Sequence, residues 1–304
     1  ELVCPYHGAR FSTTGECTNL SRVTCNHIVD TNYDTYASKI HLHQYPCRTN
    51  GDYIYIYYSG KASTNLNDVT INEKLETKFL ESYDFSPREY TYEEVIVDFK
   101  CDWARIIENH LDILHLFWVH GDTIPDTDVN RKIITSFDQQ ITREDNQIES
   151  KYIYKDEGKG EFITIKFIPP GRILIYKGDP KKARYLQVLD HIPLATNQAR
   201  VIVRHYRKFL KNKLITNLVM FKELQHRIFY KVFAEDYLIL RTQTFNEQMG
   251  YIEKDNVKLL GEDKMIQYFW GWFKNALNNE KPWDMHPIKP NTNNVHQELT
   301  MLYP

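Results

Sequence analysis

Apolar positions fall into two periods along the chain, and the switch between them predicts the elements. Residues 94–100 alternate as a strand, and six further strand-like segments follow at 131–142, 147–155, 160–168, 171–177, 184–193 and 198–209. Turn signals separate several of them: Glu157-Gly158-Lys159-Gly160, Pro169-Pro170-Gly171 and Gly178-Asp179-Pro180. Short turns between successive strands predict an antiparallel meander. Helical spacing appears at 102–120, with Asp102 as N-cap, and from Asn212 to about Met249, where Phe221, Leu224, Ile228 and Val232 share a stripe. It appears again from Asp263 to Leu277, with Ile266, Phe269, Trp270 and Phe273 on one face. A sheet with long helices on one face is an α+β arrangement. Before it, residues 52–58 are aromatic and β-branched and close on Ser59-Gly60, so the N-terminal part reads as a small all-β domain. The expected organisation is a β domain over 1–62, a polar connection over 63–92, a second domain over 93–280 and a Pro- and Asn-rich surface tail over 281–304.

Composition narrows the class. The 304 residues are 42% hydrophobic and 26% charged, which excludes disorder and leaves room for a sizeable core. Lys and Arg total 38 against 40 Asp and Glu, a net charge of −2, so neither nucleic acid nor an anionic membrane is an implied partner. No apolar run approaches the roughly 20 residues of a transmembrane helix. The first residue is Glu1 and no leader pattern follows it, so a truncated or processed N-terminus is expected.

Four of five cysteines, Cys4, Cys17, Cys25 and Cys47, lie in the first 47 residues; the fifth is Cys101. An odd count in a long chain argues against a secreted disulfide scaffold and turns attention to metal. Cys4-Pro5-Tyr6-His7-Gly8 sets a thiolate and an imidazole three positions apart, with Pro5 and Gly8 suited to a tight loop. A Rieske [2Fe–2S] centre uses two Cys and two His, each half from its own loop. An ordinary strand end fits the same five residues. Cys25-Asn26-His27 has the spacing of the other half but follows the first instead of preceding it. His41, His43 and Cys47 offer zinc ligands at no common finger spacing, and strand residues fit them as well.

The most informative segment runs from Glu108 to His120. Asn109, Asp112 and His115 step by three along one side of a helix, while His120 lies about 140° around from His115 on an ideal helix. Both imidazoles reach one ion only if the helix distorts or ends between them, and Gly121 makes an ending plausible. A third ligand is offered by Asp236, which falls on an apolar stripe with Phe229, Val232, Leu240 and Gln243. A carboxylate there is costly unless paired or metal-bound. Two His and one carboxylate form the facial triad of non-haem Fe(II) oxygenases, with zinc as the competing metal. Core histidines and an ion-paired Asp236 satisfy the pattern too. Arg204, His205 and Arg207 on the last strand suit an anionic substrate, or a solvated face with one inward polar group.

C-P-Y-H-G at 4–8, E-N-x-x-D-x-x-H-x-x-x-x-H at 108–120 and E-D-x-x-x-x-x-x-Q at 235–243, in this order over nearly the whole chain, resemble the terminal oxygenase subunit of Rieske non-haem iron oxygenases. The E-N-x-x-D form looks closest to the branch of pheophorbide a oxygenase, chlorophyllide a oxygenase and their cyanobacterial relatives. The resemblance implies that Cys4 and His7 are the second ligand pair of a Rieske cluster within 1–62, and that His115, His120 and Asp236 hold the catalytic Fe(II) of 93–280. It implies that Asp112 links cluster to iron and that Asn109 stands just behind the ligands. It further implies a helix-grip catalytic domain, a homotrimer, and electrons from a ferredoxin or an NAD(P)H-dependent reductase. The reaction would use O₂, incorporating one or both atoms, to hydroxylate or oxidatively cleave an aromatic or tetrapyrrole-like compound. The expected location is the cytoplasm or the soluble face of a photosynthetic membrane.

Three departures qualify the likeness. A first C-x-H pair would precede Cys4, and the chain begins too late to contain it. Ala9-Arg10 replaces the usual aromatic after His7-Gly8. The C-terminal C-x-x-C and anchoring helix of plant members are absent from the sequence. Two rivals remain, a helix-grip module that binds a hydrophobic ligand without metal, and a zinc hydrolase using the same triad.

Overall fold

The structure, a computed structural model, describes residues 1–20, 36–50, 53–57, 85, 89–121, 123, 137–144, 147–154, 162–179, 182–212, 214, 222–250, 259 and 263–277. Cys25, His27, most of 63–92 and the tail 281–304 lie outside these residues. The chain divides into two compact units, Glu1–Glu81 and Ser82–Pro304.

In the first unit, β1 (Leu2–Val3), β2 (Arg10–Phe11) and β3 (Cys17–Asn19) form an antiparallel sheet in that order, and β4 (Cys47–Asn50) pairs with β5 (Tyr53–Ile56). The strand expected at 52–58 is therefore there, shortened to its central residues. Between β1 and β2 the chain turns through Cys4 to Ala9: Gly8 N–H donates to Cys4 O at 2.8 Å and Cys4 N–H to Ala9 O at 2.8 Å. Gly8 makes this turn in the left-handed region, φ 75°, where a side chain would be strained.

The second unit is built on a seven-stranded antiparallel sheet. Its strands are β6 (Thr91–Phe99), β7 (Phe137–Glu144), β8 (Gln147–Tyr154), β9 (Phe162–Ile168), β10 (Arg172–Lys177), β11 (Tyr185–Ala195) and β12 (Gln198–Arg207). The order β6-β12-β11-β10-β9-β8-β7 is the expected meander, with β6 added beside the last strand. Alternation explains β6: Val95 and Phe99 are buried while Glu94, Ile96 and Asp98 face out. It also explains the start of β12, where Ala199, Val201 and Val203 are buried.

The end of β12 departs from that reading. Arg204, His205 and Arg207 are all buried and do not form a solvated face. Arg204 Nε donates to Glu94 Oε2 at 2.8 Å and Arg207 to Glu93 Oε1 at 3.1 Å, both on the neighbouring β6, so the charges are neutralised in place.

Helices α1 (Trp103–Leu111) and α2 (His115–Val119) occupy the segment read from sequence as one helix. Asp102 caps α1 as expected, accepting from Ala104 N–H at 2.8 Å. The helix then stops at Asp112, whose backbone is extended at φ −81°, ψ 112°. Its Oδ1 accepts from Leu114 N–H at 2.8 Å, a local alternative to the helical ladder that restarts the chain as α2. Helices α3 (Lys222–Gln248) and α4 (Lys264–Leu277) complete the unit. The core is shared by Val95 and Phe99 of β6, Ile107 of α1, Phe167 of β9, Phe233 of α3 and Phe269 of α4. Among the described residues, no helix is long and apolar enough to cross a membrane.

Candidate metal centre

The end of α2 at Val119, just before Gly121, does what a continuous helix cannot. His115 opens α2, and His120 follows its end at φ −104°, ψ 18°, so the two rings meet at 5.4 Å between centroids, tilted 76°. Asp236 comes from α3, where it shares a buried face with Phe233 and Leu240 and is only 2% exposed. Gln243, expected on that stripe, is exposed.

Three ligand atoms converge. Asp236 Oδ1 lies 3.1 Å from His120 Nε2 and 3.6 Å from His115 Nε2. Ligand atoms about 2.1 Å from one ion and at right angles stand about 3 Å apart, so this spacing suits a shared ion. His120 Nε2 and Asp236 Oδ1 are buried and close enough to form an ion pair, yet neither has a hydrogen bond of good geometry. Among the described residues, only His115, His120 and Asp236 gather three such donors, all within 4.8 Å of one another. His41, His43, Cys47, Cys4 and His7 do not form a zinc site. His41 Nε2 instead meets Ser38 O at 3.1 Å, and the Cys47 thiol donates to Tyr45 O at 3.2 Å.

The far nitrogen of each ring is held. His115 Nδ1–H donates to Asp112 O at 2.5 Å, and His120 Nδ1–H to Glu235 Oε2 at 2.9 Å, which leaves both Nε2 atoms free to ligate. Glu235 is fixed in turn by Thr123 Oγ1, which donates to Oε1 at 2.5 Å. Asn109 Nδ2 stands 3.5 Å from His115 Nε2. Asp112 thus serves the site through its carbonyl, which orients His115, and through its carboxylate, which sets the helix break.

Burial disfavours charge at all three ligands, but the outcome differs. His115 is pushed below the ordinary histidine value chiefly by burial, against the pull of Asp236. At His120 burial is outweighed by Asp236 and Glu235, which raise its pKa. Asp236 is likewise held below the usual carboxylate range, because His120, His110 and His115 overcome the cost of burial. An ionised carboxylate facing two imidazole nitrogens is a donor set for a divalent ion.

A cavity of about 320 Å³ opens beside these residues. Its walls are Ile163, Ile165 and Ile175 on β9 and β10, Gln187 and Leu189 on β11, and the faces of α1 and α3. The inward faces of β9, β10 and β11 line it. Trp118 of α2 lies outside it, being 77% exposed, and the side chain of Phe117 lies outside the described residues. Sequence reasoning missed Glu235 and Thr123, and it missed His110, which lines the cavity, and His191, buried behind it.

A model of the family described as vanillate O-demethylase oxygenase C-terminal domain matches residues 99–268, just over half of the chain. No curated protein sequence matches it significantly. Among solved structures, dicamba monooxygenase bound to dicamba superposes with a TM-score of 0.62 at 13% identity, over 93% of this chain and 79% of that one. A Pseudomonas putida CBB5 NdmA QL mutant with theobromine gives 0.61 at 16% identity, over 97% and 78%. At such identity these likenesses establish the fold.

Proposed function

The chain belongs to the family of the vanillate O-demethylase oxygenase C-terminal domain, a Rieske-type oxygenase family, and on that premise we propose that His115, His120 and Asp236 hold a single Fe(II) at which an apolar organic substrate is oxygenated. The observation that carries the proposal is the convergence of His120 Nε2 and Asp236 Oδ1, buried, lacking a hydrogen bond of good geometry and 3.1 Å apart, with His115 Nε2 3.6 Å from the same oxygen. When bound, iron would supply O₂ activation with two electrons from outside the site.

The protein's own residues supply the rest. Glu235 and the carbonyl of Asp112 fix the tautomer and angle of the two rings, and the isoleucines of β9 and β10 exclude water around the substrate. Asp112 would also carry electrons from a Rieske [2Fe–2S] cluster of which Cys4 and His7 are two ligands, with Asn109 beside His115. The tight turn at Gly8 is compatible with such a ligand loop. The electron source would be a ferredoxin or an NAD(P)H-dependent reductase, and the working assembly a homotrimer.

The solved neighbours carry dicamba and theobromine, compounds of one and two rings. A cavity of about 320 Å³ is at the small end of ligand pockets and favours substrates of that size over a tetrapyrrole, against the pheophorbide a oxygenase branch. Iron per chain, measured on protein purified without air, tests the centre. About one mononuclear iron, lost in Asp236→Ala, supports it. Iron retained at full content in that variant, or zinc with turnover in the absence of O₂, overturns it.

A further inference from the structure

His110, in the last turn of α1, takes no part in the centre described above, yet it lines the same cavity and is only 8% exposed. Its protonation can be followed from a backbone carbonyl. Gly171 O accepts from His191 N–H at 2.9 Å and stands 2.7 Å from His191 Nδ1. A carbonyl only accepts, so His191 carries its proton on Nδ1. Burial pushes the pKa of His191 down to about 4, so the ring is neutral and its Nε2 is a bare acceptor. That Nε2 lies 2.7 Å from His110 Nδ1, which must therefore donate. Burial, reinforced by His191, pushes His110 down to about 3, so it too is neutral and its own Nε2 has a lone pair and no proton. This last atom is buried and has no hydrogen-bond partner.

The relay is rigidly built. Gly171 approaches β11 so closely that a Cβ there would lie 2.7 Å from His191 O, and Trp103 Nε1 donates to that same carbonyl at 3.1 Å. A buried acceptor left unmatched is a penalty unless something fills it. The described residues lining the cavity include no Lys or Arg, whereas Asp112 and Asp236 both face it. An anionic group would meet that lone pair and two carboxylates, opposed among the described lining residues only by the imidazoles of His115, His120 and His205.

We propose that His110 is a specificity-determining residue whose Nε2 accepts a hydrogen bond from a hydroxyl or N–H of an uncharged aromatic substrate. This rests on the reading of the cavity as the substrate pocket. It makes the preferred substrate a neutral ring compound with one donor, and it disfavours carboxylates. Donor-free analogues leave the acceptor unpaired, a loss on the order of tenfold in affinity.

Three probes of one shape test it: 2-naphthol, 2-methoxynaphthalene and 2-naphthoate, titrated by fluorescence against the full chain without O₂. The expected result is binding of 2-naphthol about tenfold tighter than its methyl ether, naphthoate weakest, and a ratio near one for naphthol over ether in His110→Phe. A ratio unchanged in His110→Phe overturns the assignment. Long-range ¹H–¹⁵N spectra of the unsubstituted protein give a second reading that needs neither variant nor ligand. A proton on His110 Nε2 overturns the assignment, and one on Nδ1 supports it. Absence of binding by all three probes removes the substrate pocket and the assignment with it, while iron content of the same sample reports the metal centre separately.

Discussion

Glu235 Oε2 lies 2.9 Å from Nδ1 of His120, while Asp236, the next residue of α3, sets its Oδ1 3.1 Å from Nε2 of the same ring. One helix position orients the imidazole and its neighbour shares the ion with it. Removing the orienting charge should loosen the ligand without deleting it. Glu235→Gln is expected to lower Fe(II) affinity by about 10- to 100-fold, read by chelator competition. Thr123→Val, which removes only the hydroxyl bonded to Glu235, should have a smaller effect in the same direction. Unchanged affinity in Glu235→Gln would show that the ring is held by packing alone.

Asp112 has two separable roles. Its Oδ1 accepts from Leu114 N–H at the helix break, a bond that an amide oxygen can also make. Asp112→Asn should therefore keep the fold and the iron while slowing substrate oxidation with the natural reductase by at least tenfold, if the negative charge serves electron transfer. Asp112→Ala removes the local bond as well and should also cost about 1 kcal/mol of stability in urea unfolding. Wild-type oxidation by Asp112→Ala would end the electron-bridge assignment.

Much of this was legible in the sequence. The meander was readable because several of its strands are bounded by glycine, proline or charged turns, and Asp236 because a carboxylate on an apolar stripe demands an explanation. The break at Asp112 was not, since it depends on a side chain competing for a backbone N–H, and helical periodicity continues through it. The buried end of β12 misled because alternation cannot reveal that Glu93 and Glu94 wait on the adjacent strand. Glu235 had a faint signal in standing beside Asp236. His110 and His191 had none: they are 81 residues apart, and only the pairing of α1 with the sheet brings them together.

Gly171 offers a steric test of that pairing. Its backbone is not in the left-handed region, so alanine is excluded by contact alone, with His191 O at 2.7 Å and the Trp103 ring at 3.3 Å. Gly171→Ala should destabilise the chain by about 2 kcal/mol in urea unfolding, and by moving the carbonyl it should also disturb the His191 Nδ1 resonance.

The two buried histidines also set a pH dependence. Both have folded-state values below the ordinary 6.5, His191 at about 4 and His110 at about 3, in each case first because burial opposes the charged ring. The unfolded chain binds protons at these rings more readily than the folded one between those limits, so stability rises with pH across the window. It is fully present above about pH 6.5 and is lost as pH falls toward 4 and then 3. Asp190 beside His191 and Asp236 near His110 pull the other way, and His115 and His120 add to the depression at His110. At pH 5 the loss relative to pH 7 is about 2 kcal/mol per histidine. Urea midpoints of the metal-free protein should fall between pH 7 and pH 5 by more than those of the double variant His110→Phe/His191→Phe, whose lower starting stability lacks this slope. Equal slopes would mean that the rings are protonated in the folded chain, which is incompatible with a single proton passing between His110 Nδ1 and His191 Nε2 at 2.7 Å.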